Sequence, residues 1–220
     1  GGFFRVNNAG TIGFTRAGQF QVDKNGFIVN STGAHLTGYP ANSSGIILPS
    51  SPTDIVISSS DLTPTPTTIG TIGLNLDSRA TVPTNPFLYT DPTTYNSSTA
   101  MTVYDSLGNS HVMTMYFTKT ASNTWQVYTG LDGAAPTPVA GTMLDFTSTG
   151  AVNTGGIVAV SFPLTNGAVT PLVLTLDMNT ATQYGSTFGV NSMSQDGFTS
   201  GRLSGLTVGD DGVIQGRYSN

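Results

Sequence analysis

Three times in this chain an alternating apolar and polar run breaks at a short Asp/Gly turn and then resumes. Asp23-Lys24-Asn25-Gly26 lies between the run from Thr15 to Val22 and Phe27-Ile28-Val29. Asp105-Ser106-Leu107-Gly108 lies between Met101-Thr102-Val103-Tyr104 and the run from His111 to Phe117. Gly209-Asp210-Asp211-Gly212 lies between Leu206-Thr207-Val208 and Val213-Ile214. An Asp at the first turn position can hydrogen-bond the backbone two residues on, and a Gly at the fourth tolerates positive φ. Such a loop closes a hairpin, either as an Asn-Gly type I′ turn or as a type I turn followed by a Gly bulge. Side chains alternate across a strand, so Met113, Met115 and Phe117 share one face. Repeated hairpins and β-branched enrichment predict an all-β chain. No segment sustains helical apolar spacing with caps at both ends; short helical turns are expected near Thr180 to Tyr184 at most.

Composition narrows the function classes. Of 220 residues, 9% are charged, against about 25% in an average soluble domain. All twelve acidic residues are Asp, and seven basic residues leave a formal charge of −5. Seven scattered cations give no footprint for nucleic acid. With no Cys there is no disulfide framework and no thiolate zinc site. No apolar run is long enough to span a membrane. A 37% hydrophobic content argues against disorder. The length fits one large domain or two of about 100 residues. Neither end has the logic of a natural terminus, so the chain is expected to be a fragment of a longer protein.

Candidate chemistry is sparse. His35 and His111 have no Gly-x-Ser-x-Gly elbow to serve and are expected to be strand-end or surface residues. Most Asp residues fall in turns, where they cap backbone rather than form a catalytic pair. The Asp/Gly turns lack the twelve-residue calcium loop closed by Glu, and no phosphate-cradling Gly motif occurs. Sequons at Asn30, Asn42 and Asn96 are those expected by chance in so Asn-, Ser- and Thr-rich a chain. Trp125 with Tyr128 could form a sugar platform; the preferred reading is a strand aromatic covering the core. The expectation is therefore no catalytic residue, no cofactor-binding residue, no metal ligand and no enzymatic activity. The Pro/Thr run from Thr63 to Thr68 and the Pro-rich stretch from Thr81 to Thr94 read as boundary or loop. So does Gly130 to Gly141, as a hairpin tip or loop.

Several blocks carry a resemblance. Gly2-Phe3-Phe4, Phe14-Thr15-Arg16-Ala17-Gly18-Gln19-Phe20, Asp23 to Asn30 and Leu36-Thr37-Gly38-Tyr39-Pro40 form the first. Met101 to His111, with Met115-Tyr116-Phe117 and Asn123 to Tyr128, forms the second. Gln195 to Leu203 and Asp211 to Asn220 form the third. Together they resemble, in order and over nearly the whole chain, the bacterial flagellar hook protein family. Distal rod proteins share the first block; Tyr104-Asp105-Ser106-Leu107-Gly108-Asn109 points to the hook.

The resemblance implies two β-rich domains, an outer one inserted into a discontinuous middle one. It places the middle domain at 1–74 and 179–220 and the outer domain at 75–178. The implied role is a structural subunit of the hook, a universal joint that transmits motor torque to the filament. Implied partners are further copies of the subunit in a helical tube, the hook cap, and the distal rod and hook–filament junction proteins. Neither nucleic acid nor membrane insertion is implied. The implied location is the extracellular hook, reached through the flagellar type III secretion apparatus. The family's long helical termini are missing here, so this chain alone is expected to be monomeric. The alternatives are a distal rod protein or an extracellular sugar-binding or adhesive β module.

Overall fold

A computed structural model describes residues 2–42, 46–57, 62–138, 143–208 and 214–219. They fold as strands and loops without any α-helix, in agreement with the all-β expectation. The chain separates into two compact units, residues 1–62 with 202–219 and residues 63–201. The parting after Leu62 falls immediately before the Pro/Thr run.

The first unit contains β1 (Phe4–Asn8), β2 (Thr11–Thr15), β3 (Phe20–Val22), β4 (Ile28–Asn30), β5 (His35–Gly38) and β6 (Thr53–Asp54). Their order is β2-β1-β5-β4-β3, with β6 on β5, and every pairing is antiparallel. Among the described residues, its buried apolar side chains are Val6, Ile28, Val29, Ala34 and Leu36. The Asp23 turn is the Gly-bulge alternative: Gly26 N–H donates to Asp23 O, and Asp23 N–H to Phe27 O, at 3.1 and 2.9 Å. Asp23 Oδ1 accepts from the Asn25 and Phe27 amides, and Gly26 has φ +88°. The loop after β4 repeats this design with Asn30 in place of Asp. Asn30 Oδ1 takes the Thr32 and Ala34 amides, and Gly33 closes the turn at φ +82°.

The second unit is a two-sheet sandwich. It begins with β7 (Ile69–Asn75), followed by β8 (Ser97–Tyr104), β9 (Ser110–Ala121), β10 (Thr124–Leu131) and β11 (Thr137–Pro138). Then come β12 (Leu144–Phe146), β13 (Val152–Thr154), β14 (Ile157–Phe162), β15 (Leu172–Asp177) and β16 (Gly189–Gln195). One sheet has the order β13-β12-β10-β9-β8 with β11 on β10; the other has the order β14-β15-β7-β16. The β15–β7 pairing is parallel and β7–β16 is antiparallel. Both sheets feed one core. Met113, Met115 and Phe117 enter it from β9, as their alternation predicts, and Ile72 and Leu74 from β7, with Leu174 and Leu176 from β15. Each such fully buried side chain stabilises the fold by about 1.5–3 kcal/mol.

Trp125 is fully buried in this core, as the preferred sequence reading has it. Its Nε1–H donates to Gln183 Oε1 at 2.6 Å, and Gln183 Nε2 donates to Asn123 Oδ1. Lys119, also buried, directs Nζ at the Ser78 and Ala80 carbonyls at 2.6 and 2.9 Å, and the ammonium lies 5.7 Å from the Trp125 ring centroid. A buried ammonium is tolerable only with such acceptors.

The Asp105 turn has the same Gly-bulge form, with Gly108 at φ +81°. Thr147 to Gly150 is a further version, in which Thr147 Oγ1 accepts the Ala151 amide. The third turn, Gly209 to Gly212, lies outside the described residues. The strands flanking it, β17 (Leu203–Val208) and β18 (Ile214–Tyr218), pair antiparallel within the first unit. The segment from Gly130 does form a hairpin tip: β10 runs to Leu131, the chain turns at Asp132 and Gly133, and β11 returns. Residues 139–142 of that segment lie outside the described residues.

One expectation is corrected. Thr180 to Tyr184 forms no helical turn, because its backbone is used in sheet-like bonds. Thr182 exchanges bonds with Leu74 O and Leu76 N–H, and Gln183 N–H donates to Gly150 O. A 3₁₀ turn occurs instead at Pro92–Thr94, capped by Asp91, whose Oδ1 accepts the Thr93 amide.

The turns make a graded prediction. A Cβ on Gly26 would collide with Ile57 O, whereas a Cβ on Gly33 meets open space at nearly the same φ. Left-handed strain costs about 1–3 kcal/mol at either site. Gly26→Val should therefore lower Tm more than Gly33→Val. Exposed Lys24→Ala should change stability by less than about 0.5 kcal/mol. Thermal melts of the three variants check the order.

Candidate functional site

The second unit is reached and left by two segments that run side by side. Thr65 and Phe198 form an antiparallel bridge, each amide donating to the other's carbonyl at 3.0 and 2.9 Å. The two segments then run into the unit as the antiparallel β7–β16 ladder, from Gly70 opposite Gln195 to Asn75 opposite Gly189, with the register shifted between bridge and ladder and again between Val190 and Ser192. The incoming and outgoing segments thus form one ribbon, a neck.

Side chains lock this neck. Asp196 Oδ1 accepts the Thr68 and Ile69 amides at 2.8 and 2.9 Å, and Oδ2 accepts the Thr68 hydroxyl. Desolvation pulls the carboxyl upward in pKa, but the hydrogen bonds from Ile69 and Thr68 outweigh it and hold the group below its usual range. Thr67 is fully buried. Its hydroxyl donates to Gln195 Oε1 at 2.9 Å and accepts the Tyr104 amide at 2.9 Å, tying the ribbon to the opposite sheet. Gln195 Oε1 also takes the Gly197 amide at 2.6 Å. Gly197 has no space for a side chain, because a Cβ there would meet the Thr67 backbone. The arrangement holds two strands in register and contains no nucleophile–base pair. Its chemistry is mechanical.

The residues singled out by the sequence lie elsewhere. His35, in β5, stacks on Phe27 at 4.2 Å, and its Nδ1 is 2.8 Å from Asp54 Oδ2. Asp54 also accepts from Asn7, and these bonds lower its pKa. His111 opens β9 with its side chain largely buried between two carboxylates, Asp132 Oδ2 at 2.7 Å from Nδ1 and Asp105 Oδ2 at 3.2 Å from Nε2. Burial lowers the His111 pKa, but the bonds to Asp132 and Asp105 prevail and raise it. Asp105 is fully buried; burial raises its carboxyl pKa, but hydrogen bonds from Asn109, Asn166 and His111 win and hold it far below the usual range. Among the described residues no group of three or more His, Cys, Asp or Glu is arranged to hold a metal ion.

Trp125 and Tyr128 cannot form one platform, since residues three apart on a strand face opposite sides of the sheet. Tyr128 instead stacks on Phe87 at 3.8 Å, and Tyr95 and Tyr116 pack against Phe87 and each other. The sequon side chains are all engaged in hydrogen bonds. Asn30 holds its turn, Asn42 Oδ1 accepts the Ile46 amide, and Asn96 bonds Thr81 O and the Lys119 amide. The clamp escaped the sequence reading because Thr67 and Gln195 are 128 residues apart. Its one local signal was Gly197 directly after Asp196, at a strand end.

The clamp is testable. Thr67→Val keeps the volume but strands the Tyr104 amide and one lone pair of Gln195. An unsatisfied buried group costs about 1–3 kcal/mol. Thr67→Val should melt several degrees lower than the parent, whereas Thr67→Ser should melt close to it. Equal melting of all three would remove the clamp.

Comparison with known proteins follows the two units. Residues 1–60 match the family model described as the flagellar hook protein FlgE/F/G D1 domain, and residues 75–198 match the flagellar basal body protein FlaE D2 domain. The chain is 36% identical over 226 residues to the flagellar hook protein FlgE of Salmonella typhimurium, and 35% over 229 residues to that of Escherichia coli. All of this chain is covered in both cases, and 56% of each relative. The chain therefore spans little more than half the length of these curated relatives. The FlgE of Rhizobium meliloti is 30% identical over 239 residues, with 54% of it covered. The crystal structure of Helicobacter pylori flagellar hook protein FlgE2 superposes with a TM-score of 0.63. That match covers 99% of this chain and 84% of the other at 13% identity, and so bears on the fold alone. With identity running the full length of the chain and both hook-domain models matched in order, this chain belongs to the flagellar hook protein family.

Proposed function

We propose that this chain is the β-rich portion of a hook subunit, the repeating unit of a curved tube that transmits torque from motor to filament. The observation that carries the reading is the 36% identity to a hook protein over the whole chain. The physical demands agree with it. A universal joint needs subunits that stay rigid while their contacts exchange during rotation. A surface with few charges suits this, since neutral polar and water-mediated contacts replace one another at small cost. A buried ion pair would fix one register, because separating its partners is expensive. The clamped neck gives the second unit a base that resists fraying.

The nested division belongs to this proposal: a middle domain of 1–74 with 179–220 and an outer domain of 75–178. The compact units have the same nested order but part at 62/63 and 201/202, because β7 and β16 pair within the second unit. The proposed partners are further copies of the subunit, the hook cap, and the distal rod and hook–filament junction proteins. The proposed location is the extracellular hook, reached by the flagellar type III route, and the role is structural rather than enzymatic. A distal rod protein is disfavoured by the size of the sandwich. A sugar-binding module loses its platform with Trp125 buried.

Contacts that exchange at every revolution must be individually weak, and they become strong only when many act on a shared tube. This 220-residue chain should sediment as a monomer at micromolar concentration, while the full-length subunit polymerises. A stable closed dimer at low micromolar concentration would contradict a sliding joint.

A further inference from the structure

We infer that His111 is a protonation-dependent brace for the neck of the second unit, tightening it when charged and loosening it when neutral. The inference goes beyond the hook assignment and rests on geometry within this unit. Each ring nitrogen of His111 faces a carboxylate oxygen, Nδ1 that of Asp132 and Nε2 that of Asp105. Carboxylates ionised at neutral pH only accept hydrogen bonds, and a neutral imidazole has one donor and one acceptor. Only the imidazolium can donate to both. On deprotonation one nitrogen turns a lone pair toward an anionic oxygen. The longer contact, Nε2 to Asp105 at 3.2 Å, is the one to yield; Nδ1–H keeps its 2.7 Å bond to Asp132.

The contact that yields belongs to a junction. Asp105 begins the turn between β8 and β9, and its Oδ2 also accepts from Asn109 and from Asn166 in the β14–β15 loop. Ser106 of the same turn accepts the Val169 amide from that loop. Asp132, from the turn after β10, is anchored by the Val112 amide. Asp105 and Asp132 are the charged groups facing His111 from the elements packed around it, and Asn109 and Asn166 are neutral. The far side of the Asp105 turn abuts the neck. A Cβ on Gly108 would come within 2.7 Å of Pro64, 3.2 Å of the Ser200 amide nitrogen and 3.3 Å of Thr199 Cα. The turn that His111 holds is thus the wall behind both neck segments.

The sign follows from the raised His111 pKa. The brace is complete below the unfolded value of about 6.5 and is lost as pH rises through the folded value. Asp105 acts in the opposite sense, since its contribution is present above about 3.9 and lost only in strong acid.

Hydrogen exchange of the Thr65 and Phe198 amides, followed with the His111 ring signal by NMR from about pH 5.5 to about pH 8.5, tests this. After correction for intrinsic exchange, protection should fall about tenfold as pH rises, with the midpoint of the His111 titration. Protection that ignores the His111 titration would overturn the inference. His111→Gln should abolish the pH dependence. Should that variant fold poorly, Asp132→Asn serves instead: it removes one carboxylate, lowers the His111 pKa, and should move the protection midpoint to lower pH by the same amount. A midpoint that stays while the ring titration moves would again overturn it.

Discussion

Everything in the second unit is built on β7, which pairs with β16 along one edge and β15 along the other. The first strand of the unit is thereby bonded to its last, and the residues between them close a sandwich without leaving either end stray. Both pairings are backbone ladders, so they depend on register rather than on side-chain identity. Yet one face of β7 is fully committed, with Ile72 and Leu74 sealed in the core. A one-residue slip would turn that face outward, which fixes the register strongly. The neck extends this ladder with a shifted register, and Asp196 and Thr67 secure the end where fraying would begin.

The chain satisfies its loops with very little charge. Asp23, Asn30, Asp105 and Thr147 occupy the same place in four turns, each offering a side-chain oxygen to the amide directly after a Gly of positive φ. Backbone groups that would otherwise need water are bonded inside the turn. The polar Thr, Ser and Asn content serves as internal scaffolding as much as solvent coating. The same economy appears at Lys119, whose ammonium is met by two carbonyls rather than by a carboxylate.

What was legible in the sequence was local. The Asp23 and Asp105 hairpins are written in four consecutive residues, and the buried face of β9 in the alternation of Met113, Met115 and Phe117. The Asn30 and Thr147 turns are harder to recognise, because any short side chain with an acceptor oxygen fills the position that Asp fills elsewhere. The misplaced helical turn near Thr180 shows the limit of local pattern, since distant partners, Leu74 and Gly150, decide that backbone. The neck clamp lay further out of reach. Nothing in Thr67 or Gln195 alone signals a partner 128 residues away. The His111 junction likewise draws on three separate loops, which no spacing rule gathers.

The bridge between Thr65 and Phe198 has a consequence for how such chains diversify. Directly paired antiparallel residues have Cα atoms about 5 Å apart, so the two ends of the sandwich are presented like the two sides of a tight turn. The entropy of closing a loop depends on the distance its ends must be held across, and a folded insert with adjacent ends fixes that distance in advance. To the strands of the first unit, the whole of residues 63–201 weighs little more than a short hairpin. Such a module can be lengthened, exchanged or trimmed within a lineage while the frame that carries it keeps its own register.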